Sequence, residues 1–277
     1  MPQVLEKLNS KTILWILGGI LAVGIFLLCL LLITGGSEQA APETTAPANS
    51  TLEKNPYKPQ DFVLTEDGFM TCHAADTRLG IDVSGFQGSI DWEQVKNAGV
   101  DFVFIRVGGR GTTEGGLYSD DQAQSYYEGA KQAGLAVGAY FFSQAITPRE
   151  AQEEAWFVLE LVKDWKLDLP VVYDWEWVSE DSRTAEMTGQ LLTHCTQVFC
   201  QTVENAGLTP MIYFNYNQGL ELLNLEQLSD YPFWLALYEP SVNFPYRVDF
   251  WQYSCTGSVP GIQGDVDLNL CLKPFTE

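Results

Sequence analysis

Histidine is almost absent from this chain, with His73 and His194 the only two among 277 residues. A Ser-His-acid triad would have to use one of them. His194 falls in a helical pattern and His73 in a linker-like stretch, which is poor support for that chemistry. Six cysteines are present (Cys29, Cys72, Cys195, Cys200, Cys255 and Cys271), but none forms a C-x-x-C pair. With so few histidines, a zinc site is poorly supported as well. Cys195 and Cys200 lie five apart on one helix and are badly placed to join each other. Cys72 can pair with Cys255 or with Cys271, and spacing alone does not choose. Basic residues are scarce too: 15 Lys and Arg stand against 36 Asp and Glu, a formal net charge of -21. No basic patch is available for nucleic acid or for anionic lipid heads.

What is present is 46% hydrophobic and 13% aromatic, ample material for a large core. One apolar run, "ILWILGGILAVGIFLLCLLLIT" at 13–34, carries no charge. It is long enough to cross a bilayer as a helix, which takes about 20 residues. It also exceeds the apolar region of a cleavable signal peptide, about 7–15 residues, so an uncleaved anchor is expected, with Cys29 a small hydrophobe inside it. Lys7 and Lys11 precede the run and no Lys or Arg follows before Lys54. That asymmetry keeps residues 1–12 in the cytoplasm and places the rest outside it. Residues 35–76 open with an Ala-, Pro-, Thr- and Glu-rich stretch and read as a flexible extracytoplasmic linker; its second part, 57–76, either packs on the domain or continues the tether. A single folded domain is expected over 77–277, without internal repeats.

Within it, apolar strands alternate with amphipathic helices. Strands are expected at 79–84, 101–107, 135–143, 169–177 and 209–215, and helices at 91–99, 119–133, 147–163 and 182–206. Three further strands at 233–238, 248–254 and 265–270 follow with little helix between them. This rhythm implies an α/β fold, an irregular TIM-like (β/α)5(β)3 barrel preceded by a single transmembrane helix.

The stretch "LPVVYDWEWV" at 169–178 ends its apolar run in Asp174 and Glu176. On a strand the two point to the same face. Side by side they repel, which does nothing for folding. In such barrels, working residues gather at the C-terminal strand ends. Asp82 ends the first strand, and Asp267 or Asp265 lies in the last, which a closed barrel makes its neighbour. Phe86, Tyr140, Tyr213, Trp234, Tyr238 and Trp251 fall near the same ends, as candidate faces for sugar rings; for Trp234 and Trp251 barrel core is an equal alternative. Glycosidic hydrolysis needs a proton donor and a negative charge near the anomeric carbon, and one ionised acid helps its neighbour stay protonated.

The stretches "GIDVSGFQGSIDWEQVKNAGVDFVFIRVGGRG" (80–111), "PVVYDWEW" (170–177), "PMIYFN" (210–215), "FWLALY" (233–238) and "FWQYSCTGSVPGIQGDVDLN" (250–269) resemble glycoside hydrolase family 25, in the family's order. The resemblance covers residues 79–277. It implies a muramidase acting on the β-1,4 bond between N-acetylmuramic acid and N-acetylglucosamine in the glycan strands of peptidoglycan, without a metal or other cofactor. It further implies Glu176 as general acid and Asp174 as the residue that orients the acetamido group or stabilises developing charge. Asp82 and Asp267 are implied as supporting acids. Two departures stand out. Gly85 and Phe86 replace a polar residue and a Trp or Tyr, and Trp175 replaces a small aliphatic residue between the paired acids, where it is expected to point outward.

Other readings compete. Asp82 alone could cap a turn. Asp174 and Glu176 could pair with Arg106 or Arg247, and Asp91 and Trp92 are expected only to start and pack a helix. "YDWEW" is superficially similar to family 18 chitinases, but Val172 and Leu169 stand where that pattern needs acids. A glucosaminidase, or a wall-binding protein on the same barrel without activity, is the remaining alternative.

Overall fold

The computed structural model describes residues 50–273. The expected cytoplasmic segment 1–12, the membrane anchor 13–34 and the first part of the linker lie outside the described residues. Among the described residues, no helix is long and apolar enough to cross a membrane.

A hairpin of β1 (Phe62–Leu64) and β2 (Met70–Cys72) precedes the barrel. The barrel then uses β3 (Arg78–Val83), β4 (Phe102–Arg110), β6 (Ala136–Ser143), β7 (Val171–Trp175), β8 (Pro210–Asn215), β9 (Phe233–Ala236), β10 (Phe250–Gly257) and β11 (Val266–Cys271). These pair in that order, and β11 closes onto β3. A short strand, β5 (Leu117–Ser119), extends the end of β4 as an antiparallel ribbon. Helices α1 (Trp92–Asn97), α2 (Ala123–Gln132), α3 (Pro148–Leu161) and α4 (Gly189–Asn205) separate the first five barrel strands. After β8 only a π turn at Gln218–Leu222 and a 3-10 turn at Leu225–Leu228 follow, so the fifth helix is vestigial. The (β/α)5(β)3 expectation is met in outline.

Helix boundaries follow side-chain caps. Asp91 accepts from the Gln94 amide at the start of α1, and Trp92 packs edge-on against Tyr126, the structural roles expected of both. Thr147 caps α3, with Pro148 at its first position. The helix expected from 182 begins only at Gly189, capped by Thr188. Ser182 hydrogen-bonds locally before it, to the Ser179 carbonyl, which favours a turn over helix, and Thr184 donates across the fold to Gln144.

Two apolar layers result from strand alternation. Phe102, Phe104, Val172, Met211, Trp234 and Phe250 fill the lumen. Ile81, Val103, Tyr173, Trp175, Phe214 and Trp251 belong to the layer beneath helices and loops. The last strand departs from a wholly parallel barrel. Strand β11 runs antiparallel to both β10 and β3, because the short β10–β11 loop returns the chain without a crossover.

The boundary expected at residue 77 moves toward the N-terminus, since residues 50–76 are part of the barrel's surface. Glu53 pairs with Arg247 at 2.7 Å. The Asn55 amide donates to the carbonyls of Val242 and Phe244, and the Tyr57 hydroxyl to that of Leu272. Phe62 meets Trp251 edge-on at 5.1 Å. The large apolar residues Leu52, Tyr57, Phe62, Phe69 and Met70 are what separate this stretch from the Ala/Pro/Thr-rich part before it. Cys72 and Cys271 are buried free thiols, so the bond between them is not formed.

Candidate active site

Asp82 lies in the penultimate position of β3, Asp174 in that of β7, and Glu176 one residue beyond β7. Asp267 enters differently. Because β11 is antiparallel, it stands at the start of that strand, directly opposite Asp82. Asp265, the sequence alternative, is exposed outside the strand. All four acids meet at one mouth of the barrel.

Asp82 and Asp174 are each 5% exposed, while Glu176 is half-buried and reaches solvent. The Asp174 and Glu176 carboxyls act on each other's titration, and Asp174 Oδ1 is buried without a hydrogen-bond partner. Burial is the main cause of raised pKa values at all three. Glu176 is pushed up to about 7 by burial and then by the negative charge of Asp82. Asp174 is raised well above the carboxylate range by burial, with the charges of Glu176 and Asp82 adding to it. Asp82 rises to about 6 by burial, held back by hydrogen bonds from Asn269, Gln252 and Asp267. Asp174 and Glu176 therefore titrate as a coupled pair whose protonation belongs to both.

The strand that carries the pair is fixed through its backbone. Gln218 donates to the Trp175 carbonyl at 3.1 Å, and Gln144 donates to the Glu176 carbonyl at 2.8 Å. Gln144 is fully buried, and Thr184 and Arg183 hydrogen-bond to it in turn. Trp175 points outward into the layer beneath the helices, as expected. The feared ion pairs with the acids do not form: Arg247 pairs with Glu53, and Arg106 with Asp120 at 2.8 Å.

Arg106 nonetheless matters. It projects into the lumen mouth, and its positive charge opposes the rise at Asp174. Phe86, 53% exposed, covers the guanidinium at 4.9 Å. The same Asp120 carboxylate accepts from the Gly85 amide at 2.9 Å. A Cβ at Gly85 would come within 2.9 Å of that carboxylate, which accounts for glycine there.

The candidate aromatics divide. Tyr238 is exposed at the mouth, and Tyr140 and Tyr213 are half-buried beneath it. Trp234 is 1% exposed, stacked on Phe104 at 4.7 Å in the barrel floor. Trp251 is not brought to the site at all. It is fully buried on the outer side of β10, donating to the Leu237 carbonyl. Strand parity explains the miss: in "FWQYS", Phe250 and Gln252 face inward and Trp251 faces out. Gln252, Asn269, Asp120, Gln144 and Gln218 escape the sequence reading, which names Arg106 only as a candidate ion-pair partner of the acids. Gln252 and Asn269 carried a usable signal, as polar residues inside otherwise apolar buried strands.

Comparison with known proteins identifies the family. The model of glycosyl hydrolases family 25 matches residues 81–262. The chain belongs to that family. It is 33% identical over 193 residues to an autolytic lysozyme of Clostridium acetobutylicum, covering 69% of this chain and 54% of that one. It is also 33% identical to lysozyme M1 of Streptomyces globisporus, covering 72% and 70% of the two chains. Among solved structures, a bacterial lysozyme from Streptomyces coelicolor superposes with a TM-score of 0.55 at 30% identity, covering 69% of this chain and 90% of that one. The match thus spans only about half of the clostridial relative.

Proposed function

We propose that this family 25 hydrolase is a muramidase that cleaves the β-1,4 bond between N-acetylmuramic acid and N-acetylglucosamine in peptidoglycan. The observation that carries the reading is the convergence of Asp174 and Glu176, at the end of β7, with Asp82 and its register partner Asp267 at one mouth of the barrel. Glu176, with the better solvent access, gives its proton to the glycosidic oxygen as the bond to the anomeric carbon breaks. Asp174 stabilises the positive charge that develops there or orients the acetamido group. Water completes hydrolysis. Asp82 keeps Glu176 protonated through its charge, and Asp267 supports Asp82.

In this reading the apolar run 13–34 anchors the enzyme outside the cytoplasm. Residues 50–76 being part of the domain, the tether reduces to residues 35–49, which extended to the full span at most about 50 Å. Such reach suits local remodelling of wall near the membrane over bulk lysis. A wall-binding protein without activity remains the competing reading; a raised, solvent-accessible Glu176 is a feature that binding alone does not need.

The test is release of fragments from purified peptidoglycan by the detergent-extracted full chain and its Glu176→Gln variant, read by mass spectrometry. Reducing-end N-acetylmuramic acid, lost in the variant, is the expected product. Reducing-end N-acetylglucosamine would replace the muramidase reading with a glucosaminidase. Binding without release would favour the inactive wall-binder.

A further inference from the structure

Asp82 is held by two buried side-chain amides, and aromatic donors from the barrel wall lock each amide in turn. Gln252, 3% exposed, donates from Nε2 to Asp82 Oδ2 at 2.8 Å. Asn269, fully buried, donates from Nδ2 to the same oxygen at 2.8 Å. Gln252 Oε1 accepts from the hydroxyls of Tyr213 and Tyr238, both at 2.9 Å. Asn269 Oδ1 accepts from Trp234 Nε1 at 2.8 Å.

An amide offers two protons on one side and lone pairs on the other. Flipping Asn269 would set its NH2 against the indole N–H, a donor with no acceptor capacity, and its oxygen against Asp82. Flipping Gln252 would likewise press an oxygen onto the Asp82 carboxylate. The donor-only indole thus decides which way Asn269 faces, whereas the Tyr213 and Tyr238 hydroxyls, which can also accept, hold Gln252 in place while the Asp82 carboxylate selects its donating face.

We infer that Gln252 and Asn269 are positioning residues that keep Asp82 ionised and aimed at the reacting centre, with the Trp234 indole orienting Asn269 and the Tyr213 and Tyr238 hydroxyls holding Gln252 in place. This rests on the muramidase reading and deepens it. Two residues singled out as sugar platforms, Trp234 and Tyr213, spend their polar atoms on the amides instead. Two N–H donors on one oxygen leave Oδ2 no room for a proton and favour the charged carboxylate. That charge is one of the two causes that hold the Glu176 proton.

Other ionisable groups face Asp82 and enter its titration: Asp267 from β11, Asp174 in β7 and Glu176 just beyond it, and the Tyr140 phenol from β6. Arg106 from β4, already paired with Asp120, acts on Asp174 from the far side.

The test compares the wild-type full chain with Gln252→Met and Gln252→Glu on purified peptidoglycan across pH, alongside carbon-13 NMR titration of the Asp82 carboxyl in each protein. Methionine keeps the volume and has no donor. Loss of a hydrogen bond to a charged group should lower kcat roughly tenfold or more, with KM changing less. Asp82 should titrate higher in Gln252→Met. Since its charge then forms at higher pH and presses less on Glu176, the acid limb of the rate profile moves up and the alkaline limb moves down. Glutamate donates like the amide only while protonated. Gln252→Glu should therefore outperform Gln252→Met at acid pH and lose that advantage as pH rises. An Asp82 titration unchanged in Gln252→Met, or a rate reduced by one factor at every pH, would overturn the inference and leave Gln252 a packing residue. The NMR titration does not need turnover. A wild-type chain that releases nothing would therefore count against the muramidase reading, and the amides would still be judged.

Discussion

Asp82 and Asp267 are register partners across the seam where the last strand of the barrel meets the first. Their carboxyls share a hydrogen bond that lowers the pKa of Asp82. Antiparallel pairing is what makes this possible, because it brings the start of β11 to the same end of the barrel as the end of β3. In a wholly parallel barrel, Asp267 would sit at the bottom.

A hydrogen bond that lowers the Asp82 pKa acts on its charged form as a donor does. Asp267→Asn keeps a donor, whereas Asp267→Leu removes it. The leucine variant should lose roughly ten- to a hundredfold in kcat, the energy of a hydrogen bond to a charged group, and the asparagine variant clearly less. Steady-state kinetics on solubilised glycan strands decides. Equal losses in the two variants would mean that Asp267 acts through its own charge.

The pH dependence of activity follows from two groups with opposite requirements. Asp82 must be ionised, and its pKa lies at about 6. Glu176 must be protonated, and its pKa lies at about 7. The kcat/KM profile should therefore be a narrow bell, falling below about 6 and above about 7, with limbs that belong to the coupled cluster as a whole. A flat profile through the alkaline limb would remove Glu176 from the role of acid.

Much of this was legible in the chain. Alternation of apolar strands with capped helices specified the barrel, and the D-x-E spacing put Asp174 and Glu176 on one face. Asp82 reads as the end of the first strand and Asp267 or Asp265 as part of the last, with the resemblance alone choosing Asp267; that it opens an antiparallel strand is not written locally. What stayed hidden depends on long-range placement. Nothing local to "FWQYS" says that Gln252 and not Trp251 faces the lumen, since parity is set by the register with β9 and β11. Arg106 and Asp120 meet only because the β4–β5 ribbon folds back beside the mouth. The stretch 50–76 looked like the end of a tether because its apolar residues are spread thinly; only the barrel's flank supplies the surface they cover.

Stability should carry the cost of the site. Asp82, Asp174 and Glu176 all have pKa values raised in the folded state. The folded chain then binds more protons than the unfolded one between the ordinary carboxylate range and about 7, so stability is present at acid pH and lost as pH rises through that window. The Tm measured by scanning calorimetry should fall between about pH 5 and pH 8, reflecting the raised values. Glu176→Gln removes one of the mutually repelling acids and should raise Tm at the alkaline end while abolishing activity. A variant no more stable than wild type there would mean that the acids are not strained against each other.

Residues 50–76 give a test of where the domain begins. Phe62 is 8% exposed against Trp251, and its replacement by alanine should cost roughly 3–5 kcal/mol, as for other buried phenylalanines. A chain cut at residue 77 loses that contact together with the Glu53–Arg247 pair and the Tyr57 hydrogen bond, and uncovers Trp251 and Tyr253. It should melt lower and aggregate more than a chain beginning at residue 50. Equal melting of the two would return residues 50–76 to the linker.

The two tryptophans separate packing from catalysis. Trp251 lies in the outer layer, where its ring supports Phe62 and Tyr253. Trp234 lies in the lumen, where its indole N–H sets the Asn269 amide that donates to Asp82. Phenylalanine at either position keeps most of the apolar contact and removes the N–H. Trp251→Phe should lower Tm, since the Leu237 carbonyl loses its donor, and leave kcat and its pH profile unchanged. Trp234→Phe frees Asn269 to turn its oxygen toward Asp82, so kcat should fall and the acid limb should move to higher pH. The comparison is made on refolded, monodisperse protein with both variants melting above the assay temperature. A Trp251→Phe enzyme with a displaced pH profile would show that the outer layer reaches the carboxylates after all, by shifting β10 and with it Gln252.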